Sequence, residues 1–339
     1  MQSFPKKITI NYGLEILRML MSFWIIMNHL YKPKNKIIQN IIIKHKFHVP
    51  TFVIISFFFL YNSLLTKKIK KYKERLERLL IPYIIYPILT YIININLYYI
   101  FQIDSLKTSL YKLITQLILG RGLYGVLWFH FNLILITIFF YIISLIFKHN
   151  FLTFFQIVQI FSYIIQFSQI NFKFFTRYNN IIKFSVGYFA ETFPLAVTGL
   201  YIASLDIINK FKGKRMITLF FSIIFLFIFF KYNIFTYVKG FGKQGIMYNI
   251  GGVLFFLIFC LIPLEKFNNK ILIFIKILTS YTPGIYYLHI NIYRIFSYKI
   301  YLIKNNTFLG CLIIYLSSYS VSCIGFNLTK KAKLKYLFV

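Results

Sequence analysis

The sequence predicts an all-α, polytopic integral membrane protein of about ten transmembrane helices, with N- and C-termini cytoplasmic. Three observations carry this. Apolar residues make up 59% of the 339-residue chain, against about 45–50% in a soluble domain. Runs of apolar residues long enough to cross a bilayer, about 17–25 residues, recur along its length. Charge is one-sided, 39 Lys and Arg against 7 Asp and Glu, for a net charge of +32. In a soluble protein that balance would suggest nucleic acid. Beside apolar spans the expected partners are anionic membrane lipids, with no nucleic acid.

The expected spans are 12–31, 50–65, 79–101, 127–147, 151–168, 185–205, 216–232, 246–264, 272–297 and 307–328. The first holds Glu15 and Arg18, and no small-residue cleavage site follows it, so it reads as a span and not as a secretory signal. The second opens at Pro50 and the third follows a dense basic stretch, Lys67 to Arg78. Between the third and fourth, 104–124 has room for a short interfacial helix. The ninth is long and is expected to break near Pro283-Gly284, because proline removes a backbone donor. Lys and Arg are richer in the segments that face inward when the N-terminus is inside, and the Lys67 to Arg78 cluster is among them, which sets the orientation. Cys260, Cys311 and Cys323 all fall in expected spans at no metal-ligand spacing, and read as packing residues.

Ionisable side chains at membrane depth are costly and mark function. Arg18 and His29 are eleven residues apart in the first span. At about 100° per residue that is three turns, so they share a face, roughly 16 Å apart along the axis. Glu15, three residues before Arg18, is placed to pair with it. The His29 imidazole titrates near neutrality and is a candidate general base. Arg75 and Arg78 also share a face, and an arginine pair suits phosphate because the guanidinium fork binds it bidentately. The plainer reading of that pair is a positive-inside flank on lipid phosphate. Trp128, in Leu127-Trp128-Phe129-His130, opens the fourth span and reads as an aromatic-belt residue at the outer interface. Glu191 is a mid-span carboxylate that needs a partner, and His289, in Gly284-Ile285-Tyr286-Tyr287-Leu288-His289, is a candidate one. No metal-ligand spacing, phosphate-binding glycine loop or nucleophile elbow is present.

Together these residues resemble the membrane-bound acyltransferase-3 family. Its first helix carries an Arg, ten residues and a His, here Arg18 and His29, and its third helix opens with Arg-x-x-Arg, here Arg75-Leu76-Glu77-Arg78. Val49 to Phe58 is similar to its second helix, and Leu127-Trp128-Phe129 and Gly284 to His289 to its later landmarks. The resemblance covers 1–339 as a single transmembrane domain. One departure is Glu15-Ile16, where the family usually has Asp followed by Gly. The chain also stops soon after the tenth span, so the esterase-like domain that many members append is not expected.

The resemblance implies an O-acetyltransferase in the cytoplasmic (inner) membrane. It would move an acyl group, usually acetyl, from acetyl-CoA or another acyl-CoA to a hydroxyl of an envelope polysaccharide or lipid-linked sugar. It implies that His29, Arg18 and Glu15 are catalytic and that Arg75 and Arg78 bind the donor. Trp128, Glu191 and His289 are then acceptor-side candidates, with no metal. The alternative is a transporter or flippase of a lipid-linked glycan. That class often shows internal repeats and broken helices; here there is one expected break and no repeat.

Overall fold

In a computed structural model the protein is helical throughout its described residues. These are 11–31, 47–65, 69–101, 109–118, 120, 127–146, 154, 157–161, 164, 180–206, 210–231, 241–264, 267–297, 300, 303, 305 and 307–338. The expected fifth span, 151–168, falls mostly outside them. The helices are α1 (Tyr12–Leu30), α2 (His48–Leu65), α3 (Ile69–Phe101), α4 (Leu110–Ile118), α5 (Trp128–Ile146), α6 (Asn180–Ser204), α7 (Arg215–Lys231), α8 (Phe241–Leu261), α9 (Asn269–Ser280), α10 (Thr282–Ser297) and α11 (Phe308–Thr329). A 3₁₀ turn, Lys333–Leu337, follows α11. Among the described residues, three helices are long and apolar enough to cross a membrane, α3, α5 and α11, or four if α9 and α10 are one broken span.

Local chemistry explains the ends. Asn11 Oδ1 accepts from Leu14 N at 3.1 Å and caps α1, and Glu15 lies in the first turn, where the helix dipole favours a carboxylate. Thr307 Oγ1 accepts from Gly310 N at 3.0 Å at the start of α11. Arg215 caps the far end of α8, donating to the carbonyls of Leu261 and, at 3.1 Å, of Ile262.

Two expectations are refined. The third helix begins at Ile69, ten residues before the expected span. Lys, Glu, Arg and Leu between Lys70 and Arg78 are good helix formers, so the apolar helix continues back through them. Its 33 residues extend about 50 Å, well beyond a hydrocarbon core of about 30 Å. The ninth span breaks near Pro283-Gly284 as expected, at Tyr281. Pro283 is the second residue of α10, where a missing backbone donor is tolerated.

The chain forms two compact units. The first comprises Met1–Met21, Asn40–Tyr72 and Ile136–Thr279. In it α2 packs closely on α6: a Cβ at Gly199 would fall 2.5 Å from the Ile54 carbonyl oxygen. Phe57, Phe140 and Phe193 continue this core, with Phe140 and Phe193 stacked at 5.6 Å.

The second unit comprises Ser22–Gln39, Lys73–Leu135 and Ser280–Val339. Its core gathers Ile26, Tyr86, Leu127, Ile285 and Ile314. The short helix expected within 104–124 is α4. Gly120, two residues past its end, has a φ of +73° that suits glycine, and Leu117 O in its last turn accepts from Tyr83 Oη of α3.

Two rungs set the register of α3 against α10. Tyr86 and Tyr287 stack at 4.5 Å and 10°, and Arg294 Nη1 donates to Asn94 Oδ1 at 2.6 Å. The rungs are eight residues apart on α3 and seven on α10, in the same order. The two helices therefore run in the same direction.

Candidate active site

Helix α1 carries Glu15, Arg18 and His29 on one rod. The expected ion pair is formed: Arg18 Nη1 lies 3.1 and 3.0 Å from the two Glu15 carboxylate oxygens. Both side chains keep some exposure, 29% for Arg18 and 18% for Glu15. The pair therefore orients the guanidinium more than it stabilises the fold. His29 occupies the last turn of α1 and is exposed.

The second unit sets His29 beside His289, with ring centroids 5.7 Å apart and a 30° tilt. His289 is fully buried. Its Nδ1 lies 3.2 Å from the carbonyl oxygen of Ile285. A carbonyl only accepts, so Nδ1 carries the hydrogen, and in the neutral ring Nε2 presents a lone pair. Among the described residues that Nε2 is buried without a hydrogen-bond partner.

Aromatic contacts continue from this pair. Tyr286 lies 6.2 Å from His289 and 5.3 Å from His130. His130 lies 4.5 Å from Tyr287, which stacks on Tyr86. His130 is 8% exposed, and its Nδ1 also lacks a hydrogen-bond partner among the described residues. A run of buried rings thus leads away from His289, which stands beside the exposed imidazole of His29.

Arg75 and Arg78 lie in the second and third turns of α3. The Tyr86–Tyr287 rung brings His289 level with about residue 88 of α3. Ten residues separate that level from Arg78, so Arg78 and the histidine pair are about 15 Å apart along the axis, with Arg75 about 20 Å away. The guanidinium of Arg78 lies over the Tyr336 ring of the C-terminal 3₁₀ turn, 5.6 Å from its centroid.

The family model described as an acyltransferase domain matches residues 11–326. The chain belongs to the acyltransferase-3 family. No curated protein matches it and no solved structure does. The match and the apolar helices together make this protein a membrane acyltransferase.

The structure of this acyltransferase brings some of the sequence candidates together and not others. His29 and His289 meet, and Glu15 holds Arg18. Trp128 opens α5 half-buried, with its ring 6.1 Å from Phe129, and it is His130, two residues on, that reaches Tyr286 and Tyr287. Glu191 lies on α6 in the first unit, and its side chain is outside the described residues, as is its expected pairing with His289. Among the described residues no three His, Cys, Asp or Glu side chains converge as a metal site would require.

Sequence reasoning gave His130, Tyr86 and Tyr287 no role. In a chain with 28 Tyr and 42 Phe, no local signal distinguishes a stacked tyrosine from a packing one. Tyr336 was missed for a different reason: it follows the last expected span, where a tail is read as solvated.

Proposed function

We propose that this acyltransferase moves an acetyl group from cytoplasmic acetyl-CoA to a hydroxyl of an envelope polysaccharide or lipid-linked sugar. It acts as a single domain over 1–339, with ten spans, both termini cytoplasmic, and lies in the cytoplasmic membrane. The observation that carries the reading is the His29–His289 pair at 5.7 Å, about 15 Å along the helix axes from Arg78. An extended pantetheine arm covers a comparable distance, so phosphates held at Arg75 and Arg78 leave the thioester beside His29.

His29 then accepts the acceptor hydroxyl proton as that oxygen attacks the thioester carbonyl. The new C–O bond forms and the C–S bond breaks. The proton passes from His29 to the departing sulfur, releasing free CoA and the acetyl ester. His289 positions the pair, because its buried lone-pair nitrogen can accept a hydrogen bond from the protonated His29 ring. Arg18, oriented by Glu15, is assigned a catalytic role. Trp128 and Glu191 are assigned to the acceptor side.

The test uses membranes containing the protein and acetyl-labelled acetyl-CoA, following label into polysaccharide and lipid-linked sugar. Transfer in wild type that falls away in Arg75→Ala as a raised KM for acetyl-CoA is the expected result. Movement of a lipid-linked glycan across the membrane without acetyl-CoA, and without label transfer, would replace this reading with a flippase.

A further inference from the structure

We infer that the C-terminal 3₁₀ turn completes the donor site, with Tyr336 stacking on the adenine and Lys335 joining Arg78 on the phosphates at the nucleotide end of acyl-CoA. This rests on the donor assignment proposed above and adds residues that lie outside the family match, which ends at residue 326.

The turn is fastened to the second unit at three points. Tyr86 Oη of α3 donates to Leu337 O at 2.6 Å. The Phe338 ring packs where Gly325 has no side chain, and its carbonyl oxygen lies near Gly284. A Cβ at Gly325 of α11 would fall 2.5 Å from the Phe338 ring, and one at Gly284 of α10 would fall 3.0 Å from its carbonyl oxygen. Three helices thus fix the position of residues that sequence alone would leave as a basic tail.

What the turn presents is specific. The Tyr336 ring has two cations about it, Arg78 Cζ at 5.6 Å and Lys335 Nζ at 5.4 Å. The ring is partly exposed and Arg78 is exposed, so a base that stacks on the ring would take the place of a cation now over it. One aromatic ring for a base and cations for phosphate is how proteins hold nucleotides without reading sequence. The position also fits. The pantetheine arm must run from the arginine end of α3 toward His29, so the adenine and phosphates stay at the Arg78 end. The Tyr336 ring is at that end.

Binding of adenosine 3′,5′-bisphosphate, the nucleotide end without the arm, tests this on the purified full-length protein in detergent. Wild type and Tyr336→Phe should bind alike. Tyr336→Leu, which keeps an apolar side chain but no π face, should bind about tenfold more weakly, and Lys335→Gln should also lose affinity. In transfer assays Tyr336→Leu should raise KM for acetyl-CoA and leave KM for acetyl-pantetheine unchanged. Equal rises for both donors would mean a structural role and overturn the inference, as would unchanged binding in Tyr336→Leu. Tighter binding in that variant would make the turn a plug over Arg78 and also overturn it. If wild type fails to bind the nucleotide the inference falls. If it binds the nucleotide but transfers no acetyl group, the inference stands and the transfer reading fails.

Discussion

Replacing His29 with alanine should remove activity while sparing the fold. His29 is exposed, in the last turn of α1. Its loss therefore opens no buried cavity, and stability should change by no more than about 0.5 kcal/mol. A positioned general base contributes about 10²–10⁴ in rate, or roughly 2.7–5.5 kcal/mol of barrier at about 1.36 kcal/mol per tenfold. His289→Ala provides the contrast. That ring is fully buried and Nδ1 lies 3.2 Å from the Ile285 carbonyl. Truncating it should cost about 2–5 kcal/mol of stability, as large-to-small core changes do, along with activity. The assay is acetyl transfer from labelled acetyl-CoA, paired with thermal unfolding of the purified protein in detergent. Turnover of His29→Ala within a factor of ten of wild type would refute the base role. Unfolding of His29→Ala as early as His289→Ala would refute the claim that its defect is chemical.

Other outcomes follow from contacts outside the histidine pair. Gly325→Ala would set a methyl 2.5 Å from the Phe338 ring, a clash costing about 1–3 kcal/mol; amide exchange over 333–338 should accelerate, and unchanged protection would show that the turn is held without Phe338. Arg294→Ala removes a charge-assisted hydrogen bond to the fully buried Asn94 and should cost about 1.5–3 kcal/mol, read as a lower unfolding temperature. Gly120→Ala meets both a φ of +73° and the Phe131 ring, and should destabilise the protein by about 1–3 kcal/mol; an unfolding temperature equal to wild type would contradict the role given to that turn.

The sequence by itself determined the class of fold and where most helices lie. Apolar runs mark where helices lie, so α1, α2 and α5 begin and end within two residues of expectation. It also determined the Glu15–Arg18 pair and the shared face of Arg75 and Arg78, because contacts three residues apart on a helix are set by helical geometry alone. It placed Arg18 and His29 on one rod for the same reason. The exact break at Tyr281 and the start of α3 were not legible. Proline tolerance depends on its position within a turn, and charged helix formers look like loop until a helix runs through them.

Only the tertiary structure decided which partners the buried groups meet. His29 meets His289, 260 residues away in the chain, because the second half of α1, from Ser22, and α10 belong to one unit. The distance from Arg78 to that pair follows from the tyrosine rung between α3 and α10. The seat of Tyr336 over Arg78 requires Tyr86, Gly284 and Gly325 from three helices at once. Periodicity reports which face of a helix a residue occupies; which helix that face meets is settled by packing among segments distant in sequence.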